Sequence, residues 1–328
     1  MYESAISNIQ KHADCRSEIY YFGEEMEHVT FKNREYIIAG NLYLPKNFDK
    51  KNKYAAVVCI HPASGVKEQT AGLYANKVAD HGFITLSFDA SFQGESQGEP
   101  RGLEDPYNRV EDIRAAIDYL CSLSCVDNNR IGVLGICAGG AYAMNTAITD
   151  HRIKAAVGVN SVNIGAMFRN GWDGKAAPSN ALPLLSNVAL QRTAEANGAP
   201  VAIAPWSPES IDDVTDPEML EAYSYYRTPR GQHPNSNGKG LLTALGTIVG
   251  YDAFHLADLY LTQPILIIAG REAQSRWNSE KLFETAASNN KELFLVDGAN
   301  HFDLYDKPIY VDQAVEKIIP FLKNNLKA

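Results

Sequence analysis

Residues 131–140 read Ile-Gly-Val-Leu-Gly-Ile-Cys-Ala-Gly-Gly. An apolar run of strand length reaches a glycine, a cysteine stands two residues later, and small residues follow. No other stretch constrains the fold as much. It describes a strand that stops, a sharp turn with Cys137 at its tip, and a helix that starts at Ala138. A residue at such a tip is held in a strained backbone conformation that lifts its side chain clear of the sheet. Gly135 and Gly139 lack a Cβ, so the turn and the facing strand can approach closely. The Ala138 amide then points to where a substrate carbonyl oxygen would develop charge. The plainer alternative is a buried cysteine packed as a small apolar residue in a glycine-rich turn.

The rest of the chain supplies the layers that such a turn needs. Val29 to Leu44 alternates and carries Tyr, Ile and Thr, as a strand pair turning near Asn33-Arg34 or Ala39-Gly40 does. Tyr54 to Ile60 is a continuous apolar run, as expected of a parallel strand covered on both faces. Phe83 to Phe88, Lys154 to Val159, Pro264 to Ala269 and Glu292 to Val296 have the same character. Between them, Val110, Ile113, Ile117 and Leu120 recur at helical spacing within Asn108 to Leu123. Ala138 to Thr149, Trp277 to Ala287 and Val311 to Asn325 read as further helices. Strands alternating with helices predict an α/β fold, a mostly parallel central sheet with helices on both faces.

The alternation fails from Ser161 to Leu261, where prolines and tyrosines cluster. A structureless loop of that length is improbable inside a compact domain. The expectation is a largely helical cap insertion over residues 161–261, inserted into a core of 29–160 and 262–328. Residues 1–28 read as an N-terminal arm.

Bulk properties exclude several functions. The net charge is −9, with both signs interspersed, which argues against nucleic acid or an anionic membrane surface as partner. No apolar run reaches 18 residues, and Met1 to Tyr20 lacks the layout of a secretory signal. Five cysteines spread thinly over 328 residues argue against a disulfide framework and for a cytoplasmic location. Cys121 and Cys125, four apart on a helix, lack the further ligands of a zinc set and read as core. The loop Asp89 to Gly98 is glycine-rich, but no lysine-serine pair follows, so nucleotide binding is not expected. Neither a metal nor a cofactor is expected.

A cysteine at a strand-to-helix tip calls for a carboxylate and then a histidine further along the chain. Glu272 lies two residues past Gly270 at a strand end and is the candidate acid; Asp258, Asp252 and Asp303 are the alternatives. His301 follows Val296-Asp297-Gly298-Ala299-Asn300 in the loop after the last strand. In the triad Cys137, Glu272 and His301, an adjacent imidazolium would favour the thiolate, and the acid would hold the ring's tautomer. Attack by sulfur gives a thioester intermediate. A second oxyanion donor, beside Ala138, is sought in His61-Pro62-Ala63-Ser64-Gly65, with Ala63 or Ser64 as candidate. His61 itself reads as structural.

These segments resemble those of α/β-hydrolases of the dienelactone hydrolase-like group. The residues responsible are Gly135 to Gly140, His61 to Gln69, Phe88-Asp89 through Gly94 to Gly98, and Asn300-His301-Phe302-Asp303-Leu304-Tyr305-Asp306. The likeness runs from about Val29 to the C-terminus. It is nearest to a capped bacterial branch with a cysteine nucleophile, in which Tyr225 to Gly231 also fits. That branch is similar to fungal polyketide transferase and thiohydrolase proteins. The chain departs from dienelactone hydrolases in its cap and in the absence of a glutamate within His61-Pro62-Ala63-Ser64.

The function expected from this reading is cleavage of a carboxylic ester, lactone or thioester through an acyl-cysteine. The partner is a small-molecule acyl substrate. Phe168, Trp172 and Tyr226 are candidates to line an apolar pocket, and Arg227 or Arg230 to pair with a substrate carboxylate. Two alternatives remain open. One is acyl transfer from the same intermediate to an alcohol or amine; the other is a non-catalytic binding protein on a hydrolase scaffold. The arm or an exposed helix is available to support a homodimer.

Overall fold

The computed structural model describes residues 26–212, 214–236 and 238–328. Among them, ten strands run in chain order: Met26–Asn33 (β1), Tyr36–Tyr43 (β2), Tyr54–Ile60 (β3), Ile84–Phe88 (β4), Val126–Ile136 (β5), Ile153–Val159 (β6), Ile203–Pro205 (β7), Lys239–Leu241 (β8), Ile265–Gly270 (β9) and Lys291–Val296 (β10). The α-helices are Thr70–Ala79 (α1), Pro106–Ser122 (α2), Ala138–Thr149 (α3), Ile164–Asn170 (α4), Leu182–Ala196 (α5), Pro217–Arg227 (α6), Leu245–Gly250 (α7), Ala257–Tyr260 (α8), Arg276–Thr285 (α9), Asp303–Asp306 (α10) and Pro308–Leu326 (α11).

Eight strands form one sheet in the order β1-β2-β4-β3-β5-β6-β9-β10. β1 and β2 form a hairpin that turns after Asn33, with Arg34 at φ 53°, the first of the two turns the sequence allowed. β2 meets β4 antiparallel, and every pairing from β4 onward is parallel. This is the α/β-hydrolase arrangement expected from the sequence. β3 shows why its run is apolar throughout. Ala56, Val58 and Ile60 pack with Ile113 and Ile117 of α2 and Tyr142 of α3 on one face. Val57 and Cys59 pack with Tyr74 and Val78 of α1 and Ile318 and Leu322 of α11 on the other. Successive side chains leave a strand on opposite sides, so a sheet covered twice needs both apolar.

Local chemistry sets the helix ends. Asp105 accepts from the amides of Tyr107 and Asn108, and Pro106 occupies the first turn of α2, where a missing N–H costs nothing. The first turn of α1 is pinned instead by tertiary contact, the Thr70 amide donating to the Tyr225 hydroxyl at 3.0 Å.

Between β6 and β9 the chain runs through α4 to α8 and a two-stranded ribbon of β7 and β8. Several side-chain bonds tie this insertion to the sheet's loops. Besides Tyr225, Gln69 Nε2 donates to the Gly231 carbonyl at 2.7 Å, and Ser236 Oγ to the Ser64 carbonyl at 2.8 Å. Asn163 caps α4 and donates from its amide nitrogen to Asp252 at 2.6 Å.

Two expectations need correction. Of the arm assigned to residues 1–28, residues 26–28 belong to β1, where they pair with Tyr43, Leu42 and Asn41; residues 1–25 lie outside the described residues. Cys125 is disulfide-bonded, against the expectation drawn from cysteine spacing, whereas Cys59, Cys121 and Cys137 are free thiols. Among the described residues no helix is long and apolar enough to cross a membrane.

A tight backbone approach lies under the Cys137 turn. A Cβ on Gly139 would sit 2.4 Å from the Ile60 carbonyl oxygen and 2.6 Å from that of His61. Gly139→Ala is therefore expected to destabilise the protein by about 2 kcal/mol or more, the scale of an overpacked core. Gly250→Ala, at an exposed position with no neighbour near the added Cβ, is expected to stay within about 0.5 kcal/mol of the parent. Urea unfolding of the two variants checks the contrast.

Candidate active site

Cys137 occupies the tip of the turn from β5 into α3 with φ 57° and ψ −125°. This is a left-handed conformation that a side chain adopts only at a cost, of order 1–3 kcal/mol. Its surroundings hold it there. The Cys137 amide donates to the Val159 carbonyl at 2.9 Å, and its carbonyl accepts from Gly140 at 3.0 Å and Val162 at 2.9 Å. Gly135 is required for the same reason as Gly139, since its Cβ would sit 2.1 Å from the Gly139 carbonyl oxygen. The half-buried Cys137 lines a cavity of about 350 Å³, with Ala138 beside it.

Ala63 and Ser64 line the same cavity. They form a turn closed by the Gly65 amide on the Pro62 carbonyl at 3.1 Å, with Ser64 at φ 57°. The turn rests on a buried polar network. The Ala90 amide donates to His61 Nε2 at 3.1 Å, which leaves Nδ1–H to donate to the Pro62 carbonyl at 2.6 Å. Arg109 donates to the His61 carbonyl at 2.5 Å and lies 3.6 Å from Glu104. Glu104 accepts in turn from Tyr142 and Gln93. Burial and the Arg109 charge push His61 well below the usual histidine range, so it is a neutral support for the loop. Its structural reading from sequence agrees with this placement.

His301 is fully buried, its ring against Trp172 at 4.7 Å and Phe302 at 4.9 Å. Nδ1 is 2.6 Å from Ser275 Oγ, and Nε2 is 3.2 Å from the Tyr305 hydroxyl. Tyr305 lines the same cavity as Cys137 and Tyr226. The structure therefore places Cys137 on a cavity that it shares with Tyr305, the hydroxyl partner of His301 and a residue that the sequence marked only as part of a motif.

The third expected member is elsewhere. Glu272 is exposed, and its amide is tied to the Ala299 carbonyl at 2.9 Å. The chain winds through a tight turn after Gly270, so the residue presented to the ring is Ser275, three positions later. Of the other acids considered, Asp252 serves Asn163 and the Phe254 amide, and Asp303 binds the Asn300 amide and Lys307. Asp258 lies in α8.

The buried carboxylate nearest the histidine comes from the insertion. Glu218, in the first turn of α6, accepts from the His301 amide at 2.8 Å, from the Gln274 amide, and from Trp172 Nε1. It grips the backbone rather than the ring. Burial raises its carboxyl above the ordinary range. No local signal marks it, because its partners lie 46 to 83 residues away.

Phe168, Trp172 and Tyr226 line the cavity as expected, together with Met167, Trp206 and Phe302. Arg227 and Arg230 do not. Arg227 donates to the Pro208, Ser207 and Gly238 carbonyls, and Arg230 binds Asp306 and Glu221. Both guanidiniums hold the insertion's own fold and its seat on α10, and among the described residues no charged side chain lines the cavity. Outside the site, Glu68, Asp89 and Glu95 converge, but on the buried Lys67 ammonium, at 2.7, 2.8 and 2.5 Å.

The resting charges also differ from expectation. Burial pushes the Cys137 thiol up to about 11, and burial alone holds His301 down at about 3. With Ser275 at Nδ1, no anion opposes the ring's desolvation. The pair is neutral thiol and neutral imidazole, not thiolate and imidazolium.

The sequence pattern of the dienelactone hydrolase family matches residues 38–164. The chain is similar to the uncharacterized protein YcjY of Escherichia coli K12, with 49% identity over 87% of this chain and 93% of that one. It is similar to the uncharacterized protein PA2218 of Pseudomonas aeruginosa, with 36% identity over 86% of this chain and 77% of that one. The crystal structure of PA2218 superposes with a TM-score of 0.83, covering 96% of this chain and 98% of that one. A shorter likeness, 33% identity over 35% of this chain and 36% of the other, is to the thiohydrolase aneE of Aspergillus aculeatus.

A thiol held near 11 is alkylated only through its small thiolate fraction. The rate of Cys137 alkylation by iodoacetamide is expected to rise about tenfold per pH unit through neutrality, with no plateau below about pH 10, against about 8.5 for a free cysteine. Mass spectrometry of the Cys137 peptide across pH reads this directly, and a plateau near pH 7 would contradict it.

Proposed function

The chain belongs to the α/β-hydrolases of the dienelactone hydrolase-like group, and from that premise we propose that it cleaves apolar carboxylic esters, lactones or thioesters through an acyl-cysteine on Cys137. The observation that carries this reading is the strained Cys137 turn, whose thiol lines a cavity shared with the Ala63-Ser64 turn and with Tyr305, the hydrogen-bond partner of His301. Strain of this kind persists only where surrounding structure over-determines it, which is the situation of an attacking group.

The steps follow from the geometry. The cysteine sulfur attacks the acyl carbon while its proton moves toward His301, which is neutral and able to accept it. The tetrahedral oxyanion takes hydrogen bonds from the Ala138 amide and from the amide of Ala63 or Ser64. Collapse expels the alcohol or thiol, which carries the proton away. Water, with His301 again as base, then resolves the thioester. Ser275 holds the imidazole through Nδ1, a position commonly occupied by a carboxylate.

The lining supports an apolar acyl group. Each methylene buried there contributes roughly 0.8 kcal/mol, so kcat/KM for p-nitrophenyl esters should climb about fourfold per added carbon until the cavity is full. A succinyl ester should be a poor substrate, because no cation lines the cavity. A second reading, transfer of the same acyl group to an alcohol or amine, is favoured by a lining that offers hydroxyls but no charged group to fix a hydrolytic water.

Incubation with an acyl thioester followed by intact-mass measurement tests the reading. An acyl adduct on the parent and none on Cys137→Ala is the expected result; equal turnover by both would sink it, and product analysis with added alcohol separates the two readings. Ser275→Ala should lower kcat/KM by about 10-fold to 100-fold, the scale of a misoriented catalytic group. Glu272→Gln should leave it unchanged.

A further inference from the structure

We propose that Glu218 is the positioning residue of this site: one carboxylate, supplied by the insertion, fixes the His301 loop, the Ser275 turn and the Trp172 wall of the cavity in a single register. The inference rests on the proposed function, in which His301 is the base, and goes beyond it by naming what holds that base.

Glu218 is buried in the first turn of α6. Its Oε1 accepts from the His301 amide at 2.8 Å. Its Oε2 accepts from the Gln274 amide at 3.2 Å and from Trp172 Nε1. All three partners are N–H groups, so each bond has one direction. They come from three separate places: the loop after β10, the loop after β9 and the segment after α4. Gln274 directly precedes Ser275, whose Oγ stands 2.6 Å from His301 Nδ1. The carboxylate therefore holds the backbone at both ends of the contact that orients the ring. Its third partner, Trp172, packs edge-on against that ring at 4.7 Å and lines the cavity.

Glu218 is itself secured. Asp216 accepts from the Glu218 amide at 2.8 Å and from Gln274 Nε2 at 2.8 Å, so the start of α6 and the loop after β9 are clasped a second time. A carboxylate in the first turn of a helix also meets the positive end of its dipole. Burying one is costly unless hydrogen bonds replace water, and the three N–H donors do so here. Glutamine has the same shape but different bonding. A carboxylate accepts at both oxygens, whereas an amide presents N–H groups at one of the two positions. In Glu218→Gln, either the His301 amide or the pair of donors on Oε2 would face another donor. The same helix brings Met219, Ala222 and Tyr226 to the cavity, so one element carries part of the acyl wall and the clasp on the base.

On the proposed mechanism His301 is the base in both half-reactions, so a displaced ring slows acylation and deacylation together. With p-nitrophenyl hexanoate, Glu218→Gln should lower kcat per folded molecule by about 10-fold or more, the scale of a misplaced catalytic group, while KM stays near that of the parent. A merely structural glutamate would lower stability in urea and leave kcat per folded molecule alone. A kcat equal to the parent's, or a loss confined to KM, overturns the role. Trp172→Phe tests the shared register, because it removes one donor and keeps an aromatic wall. The losses of kcat in the two single variants should not multiply in the double variant; losses that multiply overturn the register. If Glu218→Gln does not fold, Glu218→Asp replaces it under the same criteria, since it keeps the charge and withdraws the oxygens by one methylene. Cys137→Ala, run alongside, separates the two ideas. Turnover that survives in it overturns the nucleophile reading, and kcat in Glu218→Gln still decides the clasp. Its loss beside a parent-like Glu218→Gln overturns only the positioning role, and a parent that cleaves no ester or thioester overturns both.

Discussion

The contact on which the site depends is the approach of two backbones with no side chain between them. Gly139, in the first turn of α3, lies against the carbonyls of Ile60 and His61 at the end of β3. That closeness sets the distance between the Cys137 turn and the Ala63-Ser64 turn, and so the width of the gap in which an acyl carbonyl would lie. It also transmits force. α3 packs on β5 and β6, and the His61 loop is gripped by Arg109, itself beside Glu104. The strained φ of Cys137 is therefore balanced by the whole centre of the sheet rather than by its neighbours alone.

The insertion does more than roof the cavity. One of its carboxylates, Glu218, reaches through to hold the His301 amide, and Arg230 reaches the Phe302 carbonyl and Asp306. Ser236 and Tyr225 do the same on the opposite side, at Ser64 and Thr70. The His301 loop and the Ala63-Ser64 turn are thus both fastened by the insertion. On the proposed function, contacts to an acyl group and the placement of His301 would share one set of struts.

Much of this was legible beforehand because it rests on short-range pattern. The strands of the sheet are continuous apolar runs, Ala138 to Thr149 is a helix over the range expected, and Cys137 and His301 meet through their order in the chain. What failed depends on how a loop winds. Glu272 stands two residues after Gly270 and Ser275 five; the turn, with the Glu272 amide on Ala299, brings the later one to the ring. Glu218 was invisible for a different reason, since its partners are remote in sequence. Arg227 and Arg230 looked available for a carboxylate because a sequence does not display the carbonyls and acids that already engage them. Helix α1 escaped notice because it carries Gly72 and a threonine start and takes its first bond from Tyr225 rather than from a local cap.

A serine where a carboxylate is commonly found leaves the resting site without charge. The usual hazard of a cysteine nucleophile is oxidation, and susceptibility to it follows thiolate character. A half-buried, protonated Cys137 is a poor target for peroxide, and on the proposed function an acyl group filling the cavity would create the demand for the proton to leave. Such a protein would keep its sulfur intact through oxidising episodes that disable enzymes with a preformed thiolate.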